Sequence, residues 1–514
     1  MRRQLTAARL TTAILFILIF AMAVRTPTDT DTWWHLRSGA WQVEHRAVLG
    51  EDVFSHTRTG APWINHSWGA QVVLWLVYSA FGGHGTPGDI IVTGDESGTP
   101  GEPKALTGDP GSVGLALYTA LLATAGMALI YLASPGSVYV RAFALVLGTA
   151  TAAVFWSPRP QMFTFFLSAL VYYLLSRYKR DKMDRLWWIP VIMLVWGNLH
   201  GGFAVAFILM IGFIGGEIAG NLFNPGGEGV IPWRGIGRIA LVMVVSAAVL
   251  VINPFGLQIY RVPFEITGIG VLQNFIQEWS SPNFHERQTW PFIFLLLGSL
   301  GFAGLSRRRL DWTDLVLVAG TAFLALQAGR NIALFALVAT PVLTRHADAF
   351  LEERGWQLRP ATRTSPGLAR LNWLLLVLIV LGAAGKVWYA LEPHRVAQAQ
   401  ADALPVRVSA YINTARPEGL MFNSYNWGGY LMFAAPEFPV FVDGRTELYG
   451  DDFLTDHLRV AYLQDGWRDT LAVYDVAWVV VETGSALANV LREEPGWRVA
   501  YEDEQAVLLE RTMP

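Results

Sequence analysis

The stretch TPTDTDTWWHL, residues 26–36, follows directly on the apolar run 10–24 and sets how the remaining chain is read. An apolar run ending in paired tryptophans reads as a membrane-crossing helix that meets the interface at an aromatic belt. Two carboxylates, Asp29 and Asp31, emerge just beyond that end, beside Trp33, Trp34 and His35. A bilayer core takes about 20 mostly apolar residues per helix. Runs of that kind recur at 113–133, 139–156, 160–176, 186–200, 203–222, 236–252, 290–305, 312–328, 330–345 and 371–390. The expected fold class is an α-helical polytopic membrane protein with about 11 transmembrane helices.

Composition agrees with that reading. The 514 residues are 53% apolar and only 15% charged. A soluble chain carries about 25% charged residues, so a soluble multidomain enzyme is excluded. There is no cysteine, which removes thiol catalysis, zinc–thiolate sites and iron–sulfur clusters. A net charge of −3 gives no nucleic-acid footprint. No internal repeat of the kind that builds secondary transporters is evident.

Basic residues set the orientation, because short cytoplasmic loops retain Lys and Arg. Arg2, Arg3 and Arg9, the cluster Arg177 to Arg185, Arg234 with Arg238, Arg307 to Arg309, and Arg345 to Arg370 all fall on one side if Trp68–Gly82 does not cross. That segment then lies along the outer surface as an interfacial helix. The N-terminus is expected inside and the C-terminus outside. Ala21 and Ala23 also form an A-x-A-like site, so the first run can be read as a signal peptide with the following loop still outside. The chain divides into a transmembrane part, 1–390, and an extracytoplasmic α/β part, 391–514. The first outer loop is 25–112 and the second 253–289. Residues 83–112, rich in Gly, Pro, Asp and Thr, read as a flexible insertion. In the tail, Val440–Val442, Trp478–Val481 and Ala506–Leu509 read as short strands.

The candidate chemistry lies on the outer side. Asp29 and Asp31 are the candidate catalytic acids: a carboxylate there can take a proton from an acceptor hydroxyl, or help hold a divalent cation such as Mg or Mn. The alternatives are a helix cap for Asp29 and a simple aromatic belt for the tryptophans. Half of the ten histidines (His35, His45, His56, His66, His84) lie in the first outer loop, at spacings that match no zinc-ligand pattern. His35, His66 and His200, the last in NLHGG, are candidates for sugar or phosphate contacts. Arg159 in SPRPQ, Arg330 in AGRNIALF and Arg261 in the second outer loop run against the positive-inside trend, and Arg clamps phosphate in bidentate fashion. Glu278 and Trp279, then Trp427 and Tyr430 in YNWGGY, and Asp443 and Arg445 in VDGRTELY, are candidate acceptor contacts. Against the last pair stands a plain turn with a structural ion pair.

Taken together, DTDTWWHLRSG, INHSWGAQ, SPRPQ, NLHGG and RNIALF resemble segments of a bacterial branch of the GT-C superfamily of membrane glycosyltransferases. The resemblance implies a polyprenyl-phosphate-linked sugar donor, an extracytoplasmic glycan, lipid or protein acceptor, membrane lipids as surroundings, and a bacterial inner-membrane location. Asp29 and Asp31 match the family's first-loop acidic motif, with Asp31 as base or metal ligand. Glu278 matches the outer-loop glutamate of the oligosaccharyltransferase catalytic subunit, and YNWGGY with VDGRTELY is similar to that subunit's WWDYG region. Gly428 replaces the Asp of that region, and no second acidic pair stands in a short outer loop, so a metal-independent transfer with Asp31 as general base fits the residues better. Competing expectations are oligosaccharyltransferase-like protein glycosylation, a transporter or flippase for lipid-linked intermediates, and a non-catalytic scaffold.

Overall fold

The computed structural model describes residues 5–83, 108–270, 277–358 and 364–512. His84, Arg2, Arg3, Arg359, Arg363 and most of the Gly- and Pro-rich stretch 83–112 lie outside the described residues.

Each of the eleven apolar runs is helical. They correspond to α1 (Ala7–Ala23), then, after α2 (Asp31–His45) and α3 (Trp68–Ala80), to α4 (Gly111–Ala133), α5 (Val138–Ala152), α6 (Gln161–Asp181), α7 (Trp188–Leu199), α8 (Ala204–Phe223) and α9 (Trp233–Val249). After the short α10 (Val262–Thr267) come α11 (Trp290–Leu305), α12 (Trp312–Gln327), α13 (Ile332–Glu353) and α14 (Pro366–Ala390). Among the described residues, six helices are long and apolar enough to cross a membrane, α14 among them. That helix buries only Asn372, whose side chain bonds the Leu5 carbonyl at 2.8 Å, while Leu374, Leu378, Leu381 and Trp388 are exposed. An apolar surface all round a helix is stable only in lipid, and at about 1.5 Å per residue its length of roughly 37 Å exceeds a bilayer core. At the other extreme α13 is buried from Ile332 to Ala347 and forms the bundle's axis, packed by α5, α11 and α12. The segment expected to lie on the surface forms α3, which at about 20 Å is too short to cross a core of about 30 Å. It packs on α2 and α4.

Polar residues collect at the two ends of α6. Arg159 precedes it; Lys179, near its far end, bonds Glu217 of α8 and, at 3.2 Å, Thr313 of α12. Arg180 meets Asp314 at 2.8 Å, and Arg345 of α13 pairs with the same carboxylate. Of the basic residues expected inside, Lys179, Arg180 and Arg345 are thus paired with acids, at the end of α6 about 27 Å from Arg159.

Beyond α15 (Pro393–Ala403) and α16 (Val406–Ala415), the tail carries a four-stranded sheet in the order β1-β2-β4-β3. The strands are β1 (Leu420–Asn423), β2 (Val476–Glu482), β3 (Trp497–Glu502) and β4 (Ala506–Arg511), with β1 parallel to β2 and the other pairs antiparallel. The expected strands at 478–481 and 506–509 lie in β2 and β4. The stretch 440–442 is a correction: it joins no sheet. Val440 pairs instead with the first outer loop, its N–H on Phe54 O and its carbonyl on His56 N–H, each at 3.1 Å. The Asn423 side chain takes the place of a ladder partner, accepting from Phe441 N–H at 2.8 Å and donating to Val442 O at 2.8 Å.

Loop and tail share one core. Trp34, Leu49, Phe54 and Trp63 pack with Met421, Trp427, Leu431 and Trp478. The helix α17 (Tyr425–Ala434) is wedged between α2 and the 440–443 segment. A Cβ at Gly428 would fall 1.8 Å from the Val442 carbonyl oxygen, and one at Gly429 3.0 Å from that of Thr30. Close approach on both sides explains the paired glycines.

Candidate active site

The base of the site is the turn that leads into α2. The Asp29 Oδ1 accepts from the Asp31 N–H at 3.0 Å across Thr30, whose own side chain makes no capping bond to the helix. Its other oxygen faces Arg159 Nη1 at 3.4 Å. Asp31 lies one turn from Trp34, whose indole N–H donates to Oδ1 at 3.2 Å, while Oδ2 takes Arg159 Nη1 at 2.9 Å. From the second outer loop, Glu278 Oε2 meets Arg159 Nη2 at 3.3 Å. Gln161 holds the same nitrogen at 2.6 Å and is itself anchored on Phe155 O and Ser157 Oγ. The guanidinium thus gathers three carboxylates from two loops that are more than 240 residues apart in sequence.

These charges have different fates. Burial, assisted by Asp29 and Glu278 and opposed by Arg159, raises the Asp31 carboxyl to about 7. Burial acts in the same sense on Glu278, but Arg159 and Arg330 hold it below the ordinary carboxylate range. Arg159 is disfavoured as a cation by burial alone, yet the three carboxylates raise it and fix its charge. Asp31 is the one of these acids poised to exchange a proton near neutral pH.

Around it runs a cleft of about 350 Å³, lined among others by Asp31, His35, His66, Arg159, His200, Trp279, Arg330 and Glu447. That size lies within the range of about 300–1,000 Å³ usual for ligand pockets. Three imidazoles are oriented in one sense. His66 Nδ1 accepts from the Gly201 N–H at 3.2 Å, and His200 Nδ1 accepts from the Gly202 N–H at 3.1 Å, with the Thr164 hydroxyl at 2.7 Å. His35 Nδ1 faces the Gln71 amide at 3.4 Å. Each ring therefore carries its proton on Nε2. Burial keeps His35 well below, and His66 below, the ordinary imidazole range, so both are neutral donors at pH 7. Arg330 stacks on the Trp279 ring at 4.0 Å, and the turn carrying it is tied to the second outer loop by Gly329 N–H to Ser280 O at 3.0 Å. Among the described residues no carboxylate lies within 4.0 Å of Arg330, which makes it the spare cation of the cleft. One wall is apolar, formed by Ala204, Ile208, Leu324 and Ala328. On the same two helices, α8 and α12, Ile211 and Phe323 are exposed.

Of the residues singled out in the sequence, Asp29, Asp31, His35, His66, Arg159, His200, Glu278, Trp279 and Arg330 meet in this one region. Arg261 does not: it is exposed, pairs with Glu265 at 3.1 Å, and borders a neighbouring groove shared with His66 and Glu447. Trp427 and Tyr430 are buried, the latter edge-on to Trp33, and line no part of the cleft. Asp443 and Arg445 are completely buried as well. Arg445 bonds Asp443 in bidentate fashion at 2.9 and 2.7 Å and pairs with Asp52 at 2.7 Å. These four correct the expectation of acceptor contacts, because full burial against protein leaves them no face for a ligand. Their neighbour matters instead. Gly444, between the buried ion-paired residues, packs directly on Asp31, and a Cβ there would lie 2.2 Å from Asp31 Oδ1. Sequence reading also missed Gln161 and Thr164, whose only signal was their place inside or near SPRPQ.

The carboxylates are the candidates for a Mg or Mn ion, and their arrangement does not fit one. Both oxygens of Asp29 and of Asp31 already accept N–H donors, and the guanidinium fills the point where the three acids converge. Among the described residues no group of three His, Asp or Glu side chains is placed to hold a metal.

No family model matches the sequence, and no curated protein matches it. Solved structures do. The oligosaccharyltransferase AglB of Archaeoglobus fulgidus, in complex with an inhibitory peptide and a dolichol-phosphate, is similar at TM-score 0.54 and 12% identity, over 92% of this chain and 69% of that one. ArnT of Cupriavidus metallidurans in the apo state is similar at TM-score 0.50 and 14% identity, over 96% and 95% of the two chains. The chain shares the overall fold of these two proteins. At such identities the likeness concerns the fold, and it covers the membrane helices and the tail alike. In this chain an arginine, Arg159, sits among the acids Asp29, Asp31 and Glu278.

Proposed function

We propose that this chain is a membrane glycosyltransferase that moves a sugar from a polyprenyl-phosphate-linked donor to an extracytoplasmic acceptor, with Asp31 as general base. The observation that carries the reading is a single cleft joining a carboxyl raised to about 7 to a cation, Arg330, with no carboxylate partner among the described residues. The acceptor hydroxyl gives its proton to Asp31 as its oxygen attacks the anomeric carbon. The bond from that carbon to the phosphate oxygen breaks, and the phosphate keeps the electron pair. Arg330 and the Nε2–H of His200 offer donors for that developing charge. Attack opposite the leaving phosphate inverts the anomeric centre. The apolar wall at Ile208 and Leu324 suits the isoprenoid chain. The phosphate-bearing lipid named with AglB supports the donor class for this chain. Eleven spans, a cytoplasmic N-terminus, an extracytoplasmic tail and a bacterial inner-membrane location belong to the same proposal, as does the division at residue 390.

The test is release of polyprenyl phosphate from a polyprenyl-phosphate sugar by the purified protein in bilayer nanodiscs, with membrane lipid extract as acceptor source. Asp31→Asn should lower turnover by about 10²–10⁴-fold, the usual contribution of a general base. Turnover unaffected by that substitution refutes the role of Asp31.

A further inference from the structure

Three carboxylates from two loops converge on one point, a pattern that ordinarily marks a divalent cation. Here the point is filled from within the chain. We propose that Arg159 is a tethered cation that takes the place of a divalent metal ion in the site, so that charge compensation beside Asp31 needs no free metal. This rests on the reading of the cleft as a transferase site.

The geometry carries the proposal in three ways. The two terminal nitrogens of Arg159 divide the acids between them, Nη1 serving Asp29 at 3.4 Å and Asp31 at 2.9 Å, and Nη2 serving Glu278 at 3.3 Å. The guanidinium is also held from behind, by Gln161 Oε1 at 2.6 Å, so it does not depend on the acids for its position. A hard cation needs carboxylate oxygens at about 2.0–2.6 Å. Asp29 Oδ1 and Asp31 Oδ1 are committed to the Asp31 N–H and the Trp34 indole, and turning them toward a metal would break both bonds. The sequence explains how the cation is delivered. Arg159 sits between Pro158 and Pro160, whose fixed φ angles and missing N–H groups stiffen the approach to α6. Its carbonyl is held by the Tyr118 hydroxyl at 3.3 Å. A single positive charge cannot balance three ionised acids, and burial beside the other two raises the Asp31 carboxyl toward its protonated form.

Binding of Mn²⁺ to the full chain in nanodiscs, read as loss of the free-ion signal in electron paramagnetic resonance, tests this without reference to any donor. The wild-type protein should bind no Mn²⁺ at this cluster. Arg159→Ala should bind at least about tenfold more tightly, since it bares the three acids. Adding Glu278→Gln to that variant should remove most of the gain, and Arg159→Lys, which retains a cation, should behave as wild type. A thermal-unfolding transition retained in Arg159→Ala certifies that variant; if it fails to fold, Arg159→Gln is measured in its place. In the release assay, chelation by EDTA should change the wild-type rate by less than about twofold. Wild-type protein that binds Mn²⁺ as tightly as Arg159→Ala, a folded arginine-free variant that gains no affinity, or activity lost to EDTA and restored by Mn²⁺ overturns the proposal. The binding results stand even if no polyprenyl-phosphate sugar proves to be a substrate, so failure of this inference and failure of the transferase reading give different outcomes.

Discussion

Replacing Gly444 by Ala tests the placement of Asp31 from the opposite side of the site. The new Cβ would lie 2.2 Å from Asp31 Oδ1 and 2.8 Å from Trp34 Nε1. An ordinary carbon–oxygen contact is more than about 3 Å, so one partner must retreat by roughly 1 Å. The backbone cannot, because Asp443 and Arg445 on either side are locked to one another and to Asp52 in the protein interior. The Asp31 side chain, partly open to the cleft, is the softer element and moves. A misplacement of about 1 Å at a reacting group costs on the order of 10²-fold in rate. Gly444 is not among the residues with positive φ, so Ala is tolerated by the backbone and the fold should persist. The expected outcome is kcat for donor cleavage down about 100-fold, KM for the donor changed little, and an unaltered thermal-unfolding midpoint. Gly444→Ala with wild-type kcat would refute the assignment of Asp31 as the group that must be placed, since the clash falls on it directly.

Two further outcomes follow from the charges. Asp31, raised to about 7, must be ionised to act as a base, so kcat/KM should fall as pH drops through 7, reaching about one tenth of its plateau at pH 6 and about one hundredth at pH 5. A profile flat from pH 8 to 5 would exclude Asp31 as that base. Arg445→Met leaves Asp52 and Asp443 buried without their cation and should destabilise the protein by about 3–5 kcal/mol. The check is thermal unfolding in nanodiscs, and an unchanged midpoint would show that the ion pair does not hold loop and tail together.

Much of this protein follows from the sequence because lipid imposes a simple rule. Backbone polar groups must be satisfied within a segment, so every long apolar run becomes a helix, and all eleven runs did. The polar cluster was equally legible: a scarce ionisable residue near a helix end is costly and tends to face a partner or a cavity, and Asp31, Arg159, His200 and Arg330 line one cleft. Partnership was not legible. Arg159 read as a phosphate clamp from its charge and place, yet its guanidinium meets three acids, while Arg330 stacks on Trp279. Polar residues of the tail, Asp443 and Arg445, read as surface contacts and proved to be an interior ion pair, because no local pattern distinguishes the two. The strand expected at 440–442 pairs with the first outer loop for the same reason: its partner at Ser55 lies almost four hundred residues away. Local composition and period determine the helices and the membrane character of the chain. Which acid meets which base, and that Gly444 closes over Asp31, depend on contacts between distant segments, and only the tertiary structure decides them.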